Sequence, residues 1–128
     1  GYAVPNFIHE SVLISPNTKI SEKGVYILPR TVIMPYVTLD NYVMISVGAN
    51  IIHHSHLCEG VFVSNGVNLG ASLTAEKYAY LGMGCTIMTG VKTLGEDCLI
   101  GAGAVVIKDV PARAVMAGVP AKVLRIKD

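Results

Sequence analysis

From Ile8 to Val106 the chain places an aliphatic residue at almost every sixth position: Ile8, Ile14, Ile20, then Ile27, Ile33, Leu39, Ile45, Ile51, Leu57, Val63, Leu69, Ala75, Leu81, Ile87, then Leu94, Ile100 and Val106. The interval stretches by one residue only twice, between Ile20 and Ile27 and between Ile87 and Leu94. A period of six fits neither the 3.6 of a helical face nor the two of a half-buried strand. It fits a short strand and a turn, repeated, with each aliphatic side chain directed inward. Four residues after most of these positions stands something small or β-branched, among them Val12, Thr31, Val37, Ala49, Ser55, Val67, Cys85 and Ala104. Turn formers such as Asn17, Gly24, Pro29, Pro35, Asn41, Gly48, Asn65 and Gly103 fall between the strands, where corners are needed. Three hexads closing one coil stack residues that lie 18 apart, and the pattern predicts an all-β solenoid of five to six coils.

Length and charge narrow what such a solenoid does. The 128 residues are one domain's worth of chain, and no linker-like segment divides them. Net charge is +1 with the Lys and Arg residues scattered, and aromatic content is 6%, so neither the basic footprint nor the stacking platform of a nucleic-acid binder is expected. Hydrophobic residues make up 52% of the chain, yet no apolar run approaches the roughly 20 residues of a membrane span, and the N-terminus lacks the pattern of a signal peptide. The expectation is a cytoplasmic protein that does not engage the membrane. A prism one side chain thick leaves outward apolar residues such as Met34, Tyr36, Tyr42, Met44 and Val47 in water unless copies of the chain cover them. Cys58, Cys85 and Cys98 are odd in number and lack metal-ligand spacing, which fits reduced core thiols.

The run "LGEDCLIGAGAVVIKDVPARAVMAGVPAKVLR", residues 94–125, resembles the C-terminal end of the hexapeptide-repeat acyltransferases. The resemblance implies a left-handed parallel β-helix, a homotrimer and acetyl-CoA as acyl donor, with no metal required. The opening "VPNFIHESVLISPNTKI" and the central histidine resemble the branch that contains sialic-acid O-acetyltransferases and bacillosamine N-acetyltransferases. Members of that branch carry a small nucleotide-sugar-binding domain ahead of the β-helix. The chain begins, without an initiator Met, about where that domain would end, so it is expected to be the C-terminal part of a two-domain protein acting on a nucleotide-linked or free sugar.

Acetyl transfer to an amine or hydroxyl needs a base, a donor for the developing oxyanion and a slot that holds the thioester beside the acceptor. Three of the four histidines lie in "IIHHSHLCEG", residues 51–60. His53 occupies the third position of its hexad, where the family's general base stands, so the resemblance implies that role for it. Ala71, 18 residues on, falls where the branch offers a backbone N–H to the acetyl carbonyl, with Gly70 loosening the turn. Around the coenzyme the resemblance implies Gly82, Gly101, Lys108, Arg113, Gly118, Pro120, Ala121 and Lys122, the cations facing phosphates. Arg125 is a further candidate cation. Substrate contacts are expected from Ser46 and His54. Both depart from the branch: His54 stands where an acidic residue usually orients the base, and Ser46 where an Asn is usual. Phe62 replaces a second histidine. The tautomer of His53 is then set by a backbone carbonyl or by an acidic group from another subunit, for which Glu59 and Asp40 are the candidates.

Two other readings of the histidines stay open. Zinc in the manner of the γ-class carbonic anhydrases needs several imidazoles around one ion, and only His9 is available outside residues 51–60. A non-catalytic trimeric β-helix module fits the replaced neighbours of His53.

Overall fold

The computed structural model describes residues 3–128. Seventeen two-residue strands run from β1 (Phe7–Ile8) to β17 (Val105–Val106), followed by β18 (Ala114–Ala117) and β19 (Lys122–Ile126). Among the described residues there is no helix. Successive strands belong to successive faces of a three-sided prism, and each pairs in parallel with the strand three places on. The first face is β1-β4-β7-β10-β13-β16, continued by β18 and β19; the second is β2-β5-β8-β11-β14-β17; the third is β3-β6-β9-β12-β15. This is the left-handed parallel β-helix the hexad pattern and the resemblance implied, at about six coils.

Inward residues from Ile27 to Val106 form the axis, each no more than 1% exposed. The position four residues later, five across the slip after Ile20, lines the same core and is buried from Val25 to Ala104; it is small or β-branched except at Leu73. Two hydroxyls occur among them, and both are satisfied: Thr31 Oγ1 donates to the Ser46 carbonyl at 3.0 Å and Ser55 Oγ to the Gly70 carbonyl at 2.9 Å. Buried hydroxyls are tolerated in an apolar axis only when paired in this way. Ile8 and Ile14, in the first coil, remain 37% and 42% exposed, because among the described residues only one side of that coil is stacked.

Corners are turns whose third residue is left-handed. Pro29, Pro35, Asn41 and Asn65 do not themselves take the positive φ but precede the residue that does: Arg30, Tyr36, Tyr42 and Gly66. Pro followed by a left-handed residue is the type II arrangement. Large side chains fill this position at Tyr36, Tyr42, His54 and Tyr78. Room for two of the rings comes from glycine one coil earlier: a Cβ on Gly60 would lie 2.6 Å from Tyr78 Cε1, and Gly24 stands likewise against Tyr42. The one-residue slips are absorbed at the corners that hold Gly24 and Gly90, so strand register resumes unchanged, Phe7 opposite Tyr26 and Thr74 opposite Thr93.

The three faces differ in chemistry. Outward residues read Phe7, Tyr26, Met44, Phe62, Tyr80 and Leu99 on the first, with Phe62 and Tyr80 stacked at 5.0 Å. On the second they include Val32, Asn50, Asn68 and Thr86, and on the third Lys19, Thr38, His56, Thr74 and Thr93. Outward apolar surface is therefore concentrated on the first face, where Met44 lies, while Met34, Tyr36, Tyr42 and Val47 belong to corners. Past β18 the chain turns at Gly118 and the cis Val119–Pro120 bond and returns antiparallel as β19, closing the C-terminal end.

Candidate active site on one corner of the prism

Equivalent positions in successive coils form columns along each corner. Where the second face meets the third, the column two residues past the inward position reads Pro16, Pro35, His53, Ala71, Thr89 and Lys108, in register through β5, β8, β11, β14 and β17. The next position along reads Asn17, Tyr36, His54, Ser72 and Gly90, all left-handed. Parallel stacking therefore sets His53, Ala71, Thr89 and Lys108 on successive rungs about 4.8 Å apart.

His53 is exposed, and its carbonyl accepts a hydrogen bond from the Ser72 N–H at 3.0 Å. Its Nδ1 lies 3.0 Å from Nδ1 of His54, the two rings edge to face. His54 is itself held twice: its N–H donates to the Pro35 carbonyl at 3.2 Å, and its ring stacks on Tyr36 at 4.9 Å and 18°. Of two neutral imidazoles meeting through Nδ1, one donates and the other accepts. When His53 is the donor, its Nε2 is unprotonated and available as a base. His54 thus reaches the nitrogen that an orienting carboxylate would take. Within this chain the candidate carboxylates have other partners: Asp40 lies 2.8 Å from His56 Nε2, and Glu59 accepts from the Tyr78 hydroxyl at 3.0 Å.

Ala71 is buried, and its N–H donates to Thr89 Oγ1 at 3.1 Å. Gly70 lies close under the next coil. A Cβ there would lie 2.6 Å from the Ile87 carbonyl oxygen and from the Thr89 nitrogen, so glycine permits the next coil to stack. Gly82, against Ala102 N at 2.8 Å, and Gly101, against the Met116 carbonyl at 3.1 Å, serve the same packing at the corner between first and second faces.

Ser46 is at that other corner of the His53 coil, its hydroxyl hydrogen-bonded to Asn65 Oδ1. Within one chain it does not meet His53. At the C-terminal end, Lys108, Ala121 and Lys122 line one open groove of about 400 Å³ with Asp109 and Met116. Gly118 and Pro120 form the turn beside it; the Val105 N–H donates to the Gly118 carbonyl at 3.1 Å and the Ala121 N–H to the Val105 carbonyl at 2.8 Å. Arg113 lies in a separate groove with Tyr78, Glu96 and Asp97. The three clustered histidines do not converge: His54 is left-handed rather than extended, and His56 sits on the third face with Asp40. Sequence reasoning missed Tyr36 and Thr89, each one coil away from a residue it had singled out.

PerB from Caulobacter crescentus, solved in complex with CoA and GDP-perosamine, superposes with a TM-score of 0.92 at 31% identity, over 96% of this chain and 58% of that one. The acetyltransferase domain of PglB from Neisseria gonorrhoeae superposes equally well at 28% identity, over 97% and 60%. In sequence, the galactoside O-acetyltransferase of Escherichia coli is 33% identical over 108 residues, 84% of this chain and 47% of that protein. This is the coil of the hexapeptide-repeat acetyltransferases. The resemblance to them covers nearly the whole chain, although no family model matches it. The chain spans less than half the length of the curated relatives it matches first. Among the described residues no helix is long and apolar enough to cross a membrane.

Proposed function

We propose that the protein transfers an acetyl group from acetyl-CoA to an amino or hydroxyl group of a nucleotide-linked sugar, with His53 as general base. The observation that carries this reading is the corner column in which an exposed imidazole, a buried backbone N–H, a threonine hydroxyl and a lysine occupy successive rungs. PerB, so similar in fold, was solved with CoA and GDP-perosamine.

In the step we infer, His53 Nε2 accepts the acceptor's proton as its nitrogen or oxygen attacks the thioester carbonyl. The Ala71 N–H, shared with Thr89 Oγ1, donates to the oxyanion that develops, and collapse expels the CoA thiolate, which takes up the proton from His53. A donor fixed before the reaction costs no reorganisation as charge develops. Lys108 and Lys122 face the coenzyme's phosphates in the groove above, with Gly118, Pro120 and Ala121 shaping its wall.

The same reading includes a homotrimer. Ser46 and His53 project from different corners of one prism, so a substrate touching both spans two copies of the chain. The apolar first face supplies surface for such copies to bury.

The test measures CoA release with GDP-perosamine as trial acceptor, alongside titration of acetyl-CoA. Saturable acetyl-CoA binding, with turnover lowered roughly 10²- to 10⁴-fold by His53→Ala, is the expected result. A His53→Ala protein of unchanged activity would remove the base, and absence of acetyl-CoA binding would remove the transferase.

A further inference from the structure

On the edge between the third face and the first, away from the His53 corner, three different metal-binding side chains converge. Asp40, His56 and Cys58 each offer one ligand atom, and these atoms lie within 4.8 Å of one another. They come from two adjacent coils. Asp40 and Cys58 immediately follow the inward residues Leu39 and Leu57, paired across β6 and β9, while His56 immediately precedes Leu57. Asp40 Oδ2 is 2.8 Å from His56 Nε2. One coil further on, Glu76 extends the column, its Oε2 3.9 Å from Cys58 Sγ. The acetyl-transfer chemistry makes no use of this group.

We infer that Asp40, His56 and Cys58 form a site for a divalent zinc-like ion. Thiolate, imidazole and carboxylate together select zinc or cobalt over magnesium or calcium, which favour oxygen donors alone. Zinc takes such ligands at about 2.0–2.3 Å, so Asp40 and His56 have to part slightly from their 2.8 Å contact while Cys58 closes in around the ion. Asp40 and His56 are partly exposed, with side-chain exposures of 37% and 43%, so an ion from solvent reaches their contact. The carboxylates of Asp40 and Glu76 attract a dication, and a bound dication stabilises the Cys58 thiolate. On binding, the sulfur–hydrogen bond breaks, a sulfur–metal bond forms and the proton goes to solvent. Glu76 or water completes a tetrahedral set. The ion bridges the two adjacent coils paired through β6 and β9.

The inference is independent of the transferase reading, and its test keeps the two apart. The protein is stripped with chelator and titrated with Co²⁺, followed by optical absorption, with acetyl-CoA binding measured on the same sample. A thiolate-to-cobalt charge-transfer band that saturates at one ion per chain, is bleached by Zn²⁺ and is lost in both Cys58→Ser and His56→Gln is the expected result. Acetyl-CoA binding stays the same with or without metal. Absence of the band in the native protein, or its persistence in either variant, overturns the site whatever happens to acetyl-CoA.

Discussion

The Nδ1 atoms of His53 and His54 face each other at 3.0 Å, with His54 pinned in the left-handed region by its turn and against the Tyr36 ring. A tautomer that leaves Nε2 of His53 free requires an acceptor at its Nδ1, and His54 is the group in position. His54→Asn keeps a residue that tolerates positive φ but replaces the imidazole. We expect kcat to fall by less than the roughly 10²- to 10⁴-fold of losing the base, with acetyl-CoA affinity held and the pH profile of kcat altered. His54→Asp, which restores an acceptor, should recover part of the loss. An Asn variant with wild-type kcat and pH profile would mean that His54 orients nothing.

Gly70 allows the coil above it to close. Gly70→Ala drives a methyl against the Ile87 carbonyl and the Thr89 nitrogen, both backbone atoms that cannot swing aside. Overpacking of this kind costs about 1–3 kcal/mol. Chemical denaturation should show a lower midpoint with an unchanged slope. An alanine variant as stable as the parent would show that the coils are spaced more loosely than their hydrogen bonds imply.

The two C-terminal grooves separate the cations. Replacing Lys108 and Lys122 together by Ala should weaken acetyl-CoA binding and flatten its salt dependence, because both line the groove beside the Gly118–Pro120 turn. Arg113→Ala should leave binding nearly unchanged, since Arg113 faces Glu96 and Asp97 instead. Titration calorimetry at two salt concentrations distinguishes them, and equal losses from Arg113 and the lysines would relocate the phosphates.

All three cysteines are free and buried. Burial pushes Cys85 up to about 12 and Cys98 to about 11, against an ordinary value of 9.0. With the folded values raised, the neutral thiols' contribution to stability is intact below about pH 9 and is lost as pH rises through about 11 to 12. Native protein at pH 8 should react slowly with an aromatic disulfide at every thiol, and unfolded protein rapidly at three. Fast labelling of Cys85 or Cys98 in the native state would contradict their burial.

Most of the fold was legible because a six-residue period has few structural solutions, and the inward positions from Ile27 to Val106 are the core. The two slips were also readable as events that return the chain to register. Which face is apolar was less legible, since outward residues alternate among three faces and only the stacking sorts Tyr26, Met44, Phe62 and Tyr80 onto one. The column rule reached Ala71 from His53 but was not carried on to Thr89, whose hydroxyl holds the Ala71 N–H. Within the chain, the side chain beside His53 Nδ1 is the His54 imidazole, whose left-handed backbone no spacing rule reveals. Asp40, His56 and Cys58 belong to a pattern of strand offsets across two coils, invisible to a search for closely spaced ligands.

Register has a bearing on how such a chain can change length. Removing one hexad would carry every later column one face round the prism, parting Lys108 from the corner that bears His53. Removing 18 residues would take out one rung and leave each remaining column on its own face. The reach from the imidazole to the lysines is thus quantised: it can be lengthened or shortened only in whole rungs of about 4.8 Å. Stacked coils act as a ruler, and a donor molecule whose span falls between two of its graduations would have to take up the remainder by bending.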